Sequence, residues 1–331
     1  MTDLSIIVPV YQVERYIRPC IESIFKQNLE EDRFEVIIVN DDTKDRSMEM
    51  IADIVQQHSN ITIINHPKNL SLSVARNTGI AAAKGEYIFM PDSDDLLIEN
   101  TLSTLLEKAL ETKVDLVVAD FLQIKDEEID NFSGVIQNEF SCQEKKGEQL
   151  FLEDLTPYQC YVWRALYRRT FLLDNHISFI PGINYQDVPF THECYLKAHQ
   201  CLKTNLVFYI YRRGRTGAAT TYFSVNKARS FSIAIASTWD LAKIPSLSPE
   251  VRYKLEENVY CSFSLMIYHT IHSVKSSSER KAVMSLLNTI APHLNFTHGF
   301  RQKFTTFMIK KMPYIYIEIY HLYAKIAYRS H

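Results

Sequence analysis

The chain has 331 residues, 46% of them hydrophobic, and a formal net charge of −3. That length suits two domains, or one large domain with an appendage. The slight acidic balance argues against a nucleic-acid binder, whose footprint is a basic excess. Six cysteines lie scattered without a C-x-x-C pair, which reads as reduced core residues rather than a disulfide frame or zinc site. Eight glycines form neither G-x-G-x-x-G nor G-x-x-x-x-G-K-[ST], the phosphate-cradling patterns. With no basic leader pattern and no apolar run of about 18 residues, the expectation is a cytosolic protein without a spanning helix.

The first 120 residues alternate strand and helix patterns. Leu4–Val8 is a short apolar run consistent with a buried strand. Val13, Tyr16, Ile17, Cys20, Ile21, Ile24 and Phe25 then recur at helical spacing. Glu35–Val39 predicts a second strand, Met48–Val55 a helix, Ile61–Ile64 a third strand and Ser73–Lys84 an Ala-rich helix. Tyr87–Met90 predicts a strand, Leu102–Leu110 a helix and Leu116–Ala119 a strand. Such alternation implies α/β architecture: a mainly parallel sheet with helices on both faces. Residues 125–150 loosen into a polar loop, and residues 158–223 mix a segment of unassigned type (Cys160–Tyr167), a Pro181-Gly182 turn, a helix (Val188–His199) and a strand (Leu206–Tyr211). From Asn226 onward the pattern is helical, punctuated by Pro245, Pro249, Pro292 and Pro313.

Ligands of parallel sheets bind beyond the carboxyl ends of the strands. Pro9-Val10-Tyr11, Asn40-Asp41-Asp42 and Asp92–Asp95 all fall at such ends. Asp92-Ser93-Asp94, if still extended, sends both carboxylates to one side, where they suit Mg2+ or Mn2+. Taken alone, the same acids also fit a helix cap or a solvated surface. Leu96 stands where an EF-hand needs an oxygen ligand, so that site is disfavoured.

Four segments together resemble the family 2 glycosyltransferases, which have the GT-A fold. They are "SIIVPVYQVERYIRPCIESIFKQ", "EVIIVNDDTKDRS", "NLSLSVARNTGIAAAKGEYIFMPDSDD" and "NYQDVPF", in order over roughly residues 4–215. The resemblance implies a GT-A nucleotide-sugar and catalytic domain over 1–223 and a helical C-terminal region over 224–331. It implies Pro9, Tyr11, Glu14, Asp41, Arg76, Asp92 and Ser93 around a UDP-sugar, with Asp41 accepting from the uracil N3–H. Asp94 and Asp92 would hold Mn2+ or Mg2+, and Asp95 would orient the loop or cap the next helix. Asp187 would be the general base of an inverting transfer to a saccharide or lipid-linked hydroxyl in surface-polysaccharide synthesis. Arg212, Arg213 and Arg215 would form a basic loop over the diphosphate. Trp163, Tyr167 and Tyr185 are candidates for stacking on a sugar, with core packing as the alternative.

Three positions depart from the family pattern: Asp42 and Ser71 replace glycines, and Gln186 replaces the glutamate before Asp187. They motivate an alternative reading, a catalytically silent binding or partner subunit. His192 and His199 share a helix face, and packing is favoured there over metal ligation. Residues 301–331 carry six Lys/Arg against one acid, Glu318, interleaved with Tyr314, Tyr316, Tyr320, Tyr323 and Tyr328. That composition fits a helix lying on the inner face of the cell membrane, and equally one packed on its own domain or in a homodimer.

Overall fold

A computed structural model describes residues 2–132, 134, 139–215 and 223–327. Residues 216–222 of the basic loop, and Tyr328 and Arg329 of the tail, lie outside the described residues.

The sheet begins with four parallel strands: β1 (Leu4–Val10), β2 (Phe34–Asn40), β3 (Ile61–Asn65) and β4 (Tyr87–Phe89), in the order β3-β2-β1-β4. Beyond β4 come β8 (Ala165–Arg168), β6 (Leu116–Lys125), β9 (Cys201–Arg213) and the two-residue β5 (Leu96–Leu97), with β7 (Cys142–Lys145) also on β9. The long ladders are parallel, β1 with β2 and β6 with β9. The antiparallel ladders involve only two to four residue pairs each. The α/β reading with a mainly parallel sheet therefore holds, and the antiparallel insertions make the sheet mixed.

β1 is buried along its whole length, as a strand covered on both faces must be. Leu4, Ile6, Val8 and Val10 share a core with Ile17, Ile21 and Ile24 of α1 (Ile17–Phe25) and Leu102, Leu105 and Leu106 of α4 (Thr101–Thr112). Ile7 faces the other way, onto α3 (Leu72–Ala82), so close that a Cβ on Gly79 would collide with its Cγ2. Pro9 is tolerated because the β4 ladder stops at Ile6, leaving Pro9 paired on one side only.

The chain divides into two compact units that interleave along the sequence. Residues 1–153, 161–182 and 194–216 form one, and 154–160, 183–193 and 217–331 the other. The first holds the whole sheet, with α2 (Ala52–Gln57) and α6 (Arg169–Asp174). Both α5 (Gly147–Asp154) and α7 (Asp187–Lys197) run across a boundary between them.

The second unit is helical: α8 (Val225–Asp240), α9 (Pro249–Ser273), α10 (Ser277–Ile290), α11 (Gly299–Lys311) and α12 (Pro313–Ala327). Ser224 and Ser248 cap α8 and α9 by accepting from Lys227 N and Val251 N, and Pro249 takes the first turn, where its missing N–H costs nothing. The buried Arg280 of α10 holds Glu318 of α12 at 2.8 Å and also donates to the Val274 and Lys275 carbonyls. Among the described residues, no helix is long and apolar enough to cross a membrane.

Several sequence expectations change. The polar stretch 125–150 contains β7 and the start of α5. Four cysteines are buried as expected, but Cys142 is exposed on β7 and Cys261 is half-buried. Trp163 is core, stacked between Tyr161 and Tyr209 at 4.6 and 4.3 Å, and Tyr167 is fully buried with its hydroxyl donating to the Val162 carbonyl. Neither presents a face to a sugar. Tyr185 stacks on Phe231 at 4.1 Å. His192 is fully buried and hydrogen-bonded to the Val188 carbonyl and to Asn258, which agrees with packing rather than metal ligation.

Candidate active site

The candidate site residues of the first unit lie at or past the carboxyl ends of β1, β2 and β4, with Arg76 on α3 and Arg212, Arg213 and Arg215 at or just past the end of β9. Pro9 is buried at the end of β1, Tyr11 is exposed just beyond it, and Glu14 lies in the following turn. That turn is laced to the loop after β2. Gln12 N donates to Thr43 Oγ1, Val13 N to Ser47 Oγ, Glu14 N to Asp45 Oδ2, and Arg46 N returns a bond to Glu14 Oε2. Asp45 is the hub of this lacing. Burial raises its pKa, but the hydrogen bonds from Ser47, Thr43 and Glu14 outweigh that and hold it below the usual carboxylate range.

Asp41 is buried with both oxygens in use. Oδ1 accepts from Leu70 N at 2.8 Å and pairs with His66 Nδ1 at 2.8 Å, while Oδ2 accepts from Ser71 N at 2.9 Å. It therefore caps no helix of its own segment; instead it clamps the entry to α3. Arg76, on that helix, is 2% exposed, donates to Asp92 Oδ1 at 2.6 Å and lies over the Phe179 ring. Its Nε, also buried, has no hydrogen-bond partner.

The acidic segment is a turn, not extended chain: Asp95 N donates to the Asp92 carbonyl at 3.2 Å. Turning lets three carboxylates converge where an extended strand would present two, and the ligand oxygens of Asp92, Asp94 and Asp95 lie within 4.8 Å of one another. Ser93 is buried between them. Like charges this close repel, and each has a compensating partner. Asp92 has Arg76 and Asp94 has Arg215. Asp95, 1% exposed, accepts from the Tyr209 hydroxyl at 2.8 Å and from Arg212 N at 2.7 Å. Burial, then Asp94 and Asp92, push the Asp95 carboxyl well above its ordinary value. Asp95 caps no helix, since α4 begins at Thr101 with Asn100 in the cap position.

Of the three loop arginines, Arg215 reaches Asp94, and Arg212 donates to the Asp94 carbonyl and to Asp126 Oδ1. Arg213 is elsewhere, exposed and bonded to Gln123. Asp187 belongs to the second unit, where it opens α7 half-buried, and its negative charge helps to raise the pKa of Tyr185 and of buried Cys160. Gln186 beside it is 4% exposed, and its Oε1 is without a hydrogen-bond partner.

Sequence reasoning overlooked Asp45, His66, Tyr16, Asp126 and Tyr209. Asp45 was the visible one, as the final acid of the second quoted segment. Tyr16, Asp126 and Arg212 meet only through the fold: Tyr16 Oη donates to Asp126 Oδ2 at 3.2 Å, and the Arg212 guanidinium covers the Tyr16 ring.

The sheet with its parallel half feeding acid- and arginine-lined loops is an α/β arrangement suited to binding a ligand beyond the strand ends, and comparison with known proteins gives the family. The model of glycosyl transferase family 2 matches residues 5–172, and the chain belongs to that family. It is 35% identical to the uncharacterized glycosyltransferase EpsJ of Bacillus subtilis, over 63% of this chain and 60% of that protein. It is 30% identical to the poly(ribitol-phosphate) beta-N-acetylglucosaminyltransferase TarS of Staphylococcus aureus, over 66% of this chain and 36% of that protein. The structure of S. aureus TarS 1-349 in complex with UDP matches with a TM-score of 0.70 at 18% identity, covering 100% of this chain and 92% of that one. The fold is thus GT-A-like with a helical C-terminal region, and the chain spans about 60% of the length of EpsJ and 36% of that of TarS.

Proposed function

We propose that this glycosyltransferase moves a sugar from a UDP-linked donor to a hydroxyl of a saccharide or lipid-linked acceptor in surface-polysaccharide synthesis. The observation that carries the reading is the joint tethering of Asp41 and Asp92 to α3, one at its entry and one through Arg76, beside the Asp92–Asp95 cluster. TarS, whose structure holds UDP, supports the choice of nucleotide and of a polymeric acceptor. Three protein donors leave Asp41 one of a carboxylate's roughly four acceptor sites, which suits a uracil N3–H.

The converging carboxylate oxygens fit a hard divalent cation, and Asp94 and Asp92 would hold Mn2+ or Mg2+. When bound, the ion supplies positive charge at the departing diphosphate. Arg215 neutralises Asp94 in its absence and has the planar fork to bind phosphate oxygens. Asp95 holds the turn in shape through Tyr209 and Arg212, leaving the other two acids to face the ligand. Asp187 takes the proton from the acceptor hydroxyl, and attack opposite the leaving UDP inverts the anomeric centre.

UDP release and sugar transfer from a panel of UDP-sugars with Mn2+ test the whole reading; UDP binding without turnover of any donor would sink it. Asp94→Ala is expected to abolish metal-dependent UDP binding, and unchanged affinity removes it from the metal site. Asp187→Asn should lower kcat by about 10²–10⁴-fold with UDP affinity intact. Full turnover in that variant would rule out Asp187 as the base.

A further inference from the structure

The outer faces of α11 and α12, which carry none of the candidate site residues, form an exposed apolar and basic surface. On α12, Ile315, Ile319, Leu322 and Ile326 are 52–64% exposed. Their spacing puts them on a single stripe. Tyr316, Ile317 and Ala324 fill the opposite, buried side. The helix is therefore apolar on two sides, with a polar strip of Glu318, His321 and Lys325 between them, and an exposed apolar stripe of this size marks an interaction surface. On α11, Phe300, Phe304 and Phe307 form a second exposed stripe, with Phe300 85% exposed. Lys311 lies within that stripe, and Lys303, Lys310 and Arg301 border it, all exposed.

Charge decides what covers this surface. Between residues 299 and 327 the cations are Arg301, Lys303, Lys310, Lys311 and Lys325, and the single acid is Glu318. Glu318 is already held by Arg280. A second copy docking through the same patch would set lysine against lysine, because a two-fold interface is self-complementary and like charges there are unfavourable. An anionic lipid surface satisfies both features: phenylalanine and isoleucine enter the headgroup boundary, and the bordering lysines meet phosphates.

We propose that α11 and α12 form an interfacial platform that seats the protein on an anionic membrane. The proposal rests on this surface alone, so it stands or falls separately from the donor and the reaction. The test is cosedimentation of the full chain with vesicles of phosphatidylcholine alone or mixed with phosphatidylglycerol. Binding is expected to the mixed vesicles only and to be released at high salt, as a screened electrostatic contact must be. Each lysine removed in the series Lys303→Gln, Lys310→Gln, Lys311→Gln should weaken binding by about fivefold. Leu322→Glu with Phe304→Glu should abolish it, and because both residues are exposed the urea midpoint should not move. Absence of binding to mixed vesicles overturns the proposal. So does a concentration-dependent dimer that the Leu322→Glu, Phe304→Glu variant dissociates, which would make a second copy the occupant.

Discussion

At Ser71 the backbone takes φ 97°, and at Asp42 it takes φ 59°. Both are left-handed conformations that favour glycine, and both positions are ones where the resembling family has glycine. The turns survive the substitutions because Asp41 clamps Ser71 N and because aspartate tolerates the left-handed region. Both departures thus sit at positive-φ positions that the chain accommodates, which leaves Gln186, a lost charge beside Asp187, as the remaining motive for a silent-subunit reading. Ser71 carries the greater strain, and Ser71→Gly should raise the unfolding free energy by about 1 kcal/mol, part of the relief being offset by glycine's freedom in the unfolded chain. An unchanged or lower urea midpoint would show that the Ser71–Ser73 hydroxyl contact outweighs the strain. At this scale legibility followed sequence distance. Asp92 and Asp94 stand out from their spacing only together with their place at a strand end and the family resemblance, whereas Tyr16 and Asp126 are 110 residues apart and Arg212 lies a further 86 on, a trio no local pattern announces.

Among the elements, long segments are legible and most short ones are not, the three-residue β4 being legible because its apolar run is fully buried. β1, β2, α3 and α4 stand within two or three residues of their predicted bounds, since each buries a continuous stripe. β5, β7 and β8 have two to four residues, too few to show a period, and they exist because β9 and β4 offer open edges. Helix α7 was found by periodicity, but the reason for its buried histidine was not. Burial, opposed by the hydrogen bond to the Val188 carbonyl, lowers the His192 pKa to about 4 from 6.5. Its other nitrogen meets Asn258 of α9 at 3.2 Å. The neutral ring is the folded form, while the unfolded chain protonates it below 6.5. Stability is therefore complete above that pH and falls as pH drops towards 4. From pH 7 to pH 5 this one residue should remove about 2 kcal/mol. His192→Gln should lose that share of the slope in urea titrations at the two pH values; a slope equal to the parent's would place the pH sensitivity elsewhere.

For the whole molecule, the division of labour differs from the simple one in which a catalytic half precedes a helical half. The second unit takes in 154–160 and 183–193 as well as the late helices, so the segment bearing Asp187 belongs with α8–α12 while Asp41, Asp92, Asp94 and Asp95 belong with the sheet. Strand and helix patterns cannot reveal this, because unit membership is set by long-range packing and not by local periodicity. It has a measurable consequence. UDP with Mn2+ should protect amides against hydrogen exchange around residues 10–16, 41–47, 66–76 and 92–95 of the first unit, the loops that Asp41, Asp45 and Arg76 already knit together. A ligand at a hundred times its Kd stabilises the state that binds it by about 2.7 kcal/mol, which slows exchange roughly a hundredfold wherever opening requires release. Anionic vesicles should instead protect α11 and α12 in the second unit. If UDP protected α11 and α12 while leaving the four loops unchanged, the nucleotide would bind elsewhere, and the assignment of Asp41, Arg76 and the acidic turn to the donor would fall together.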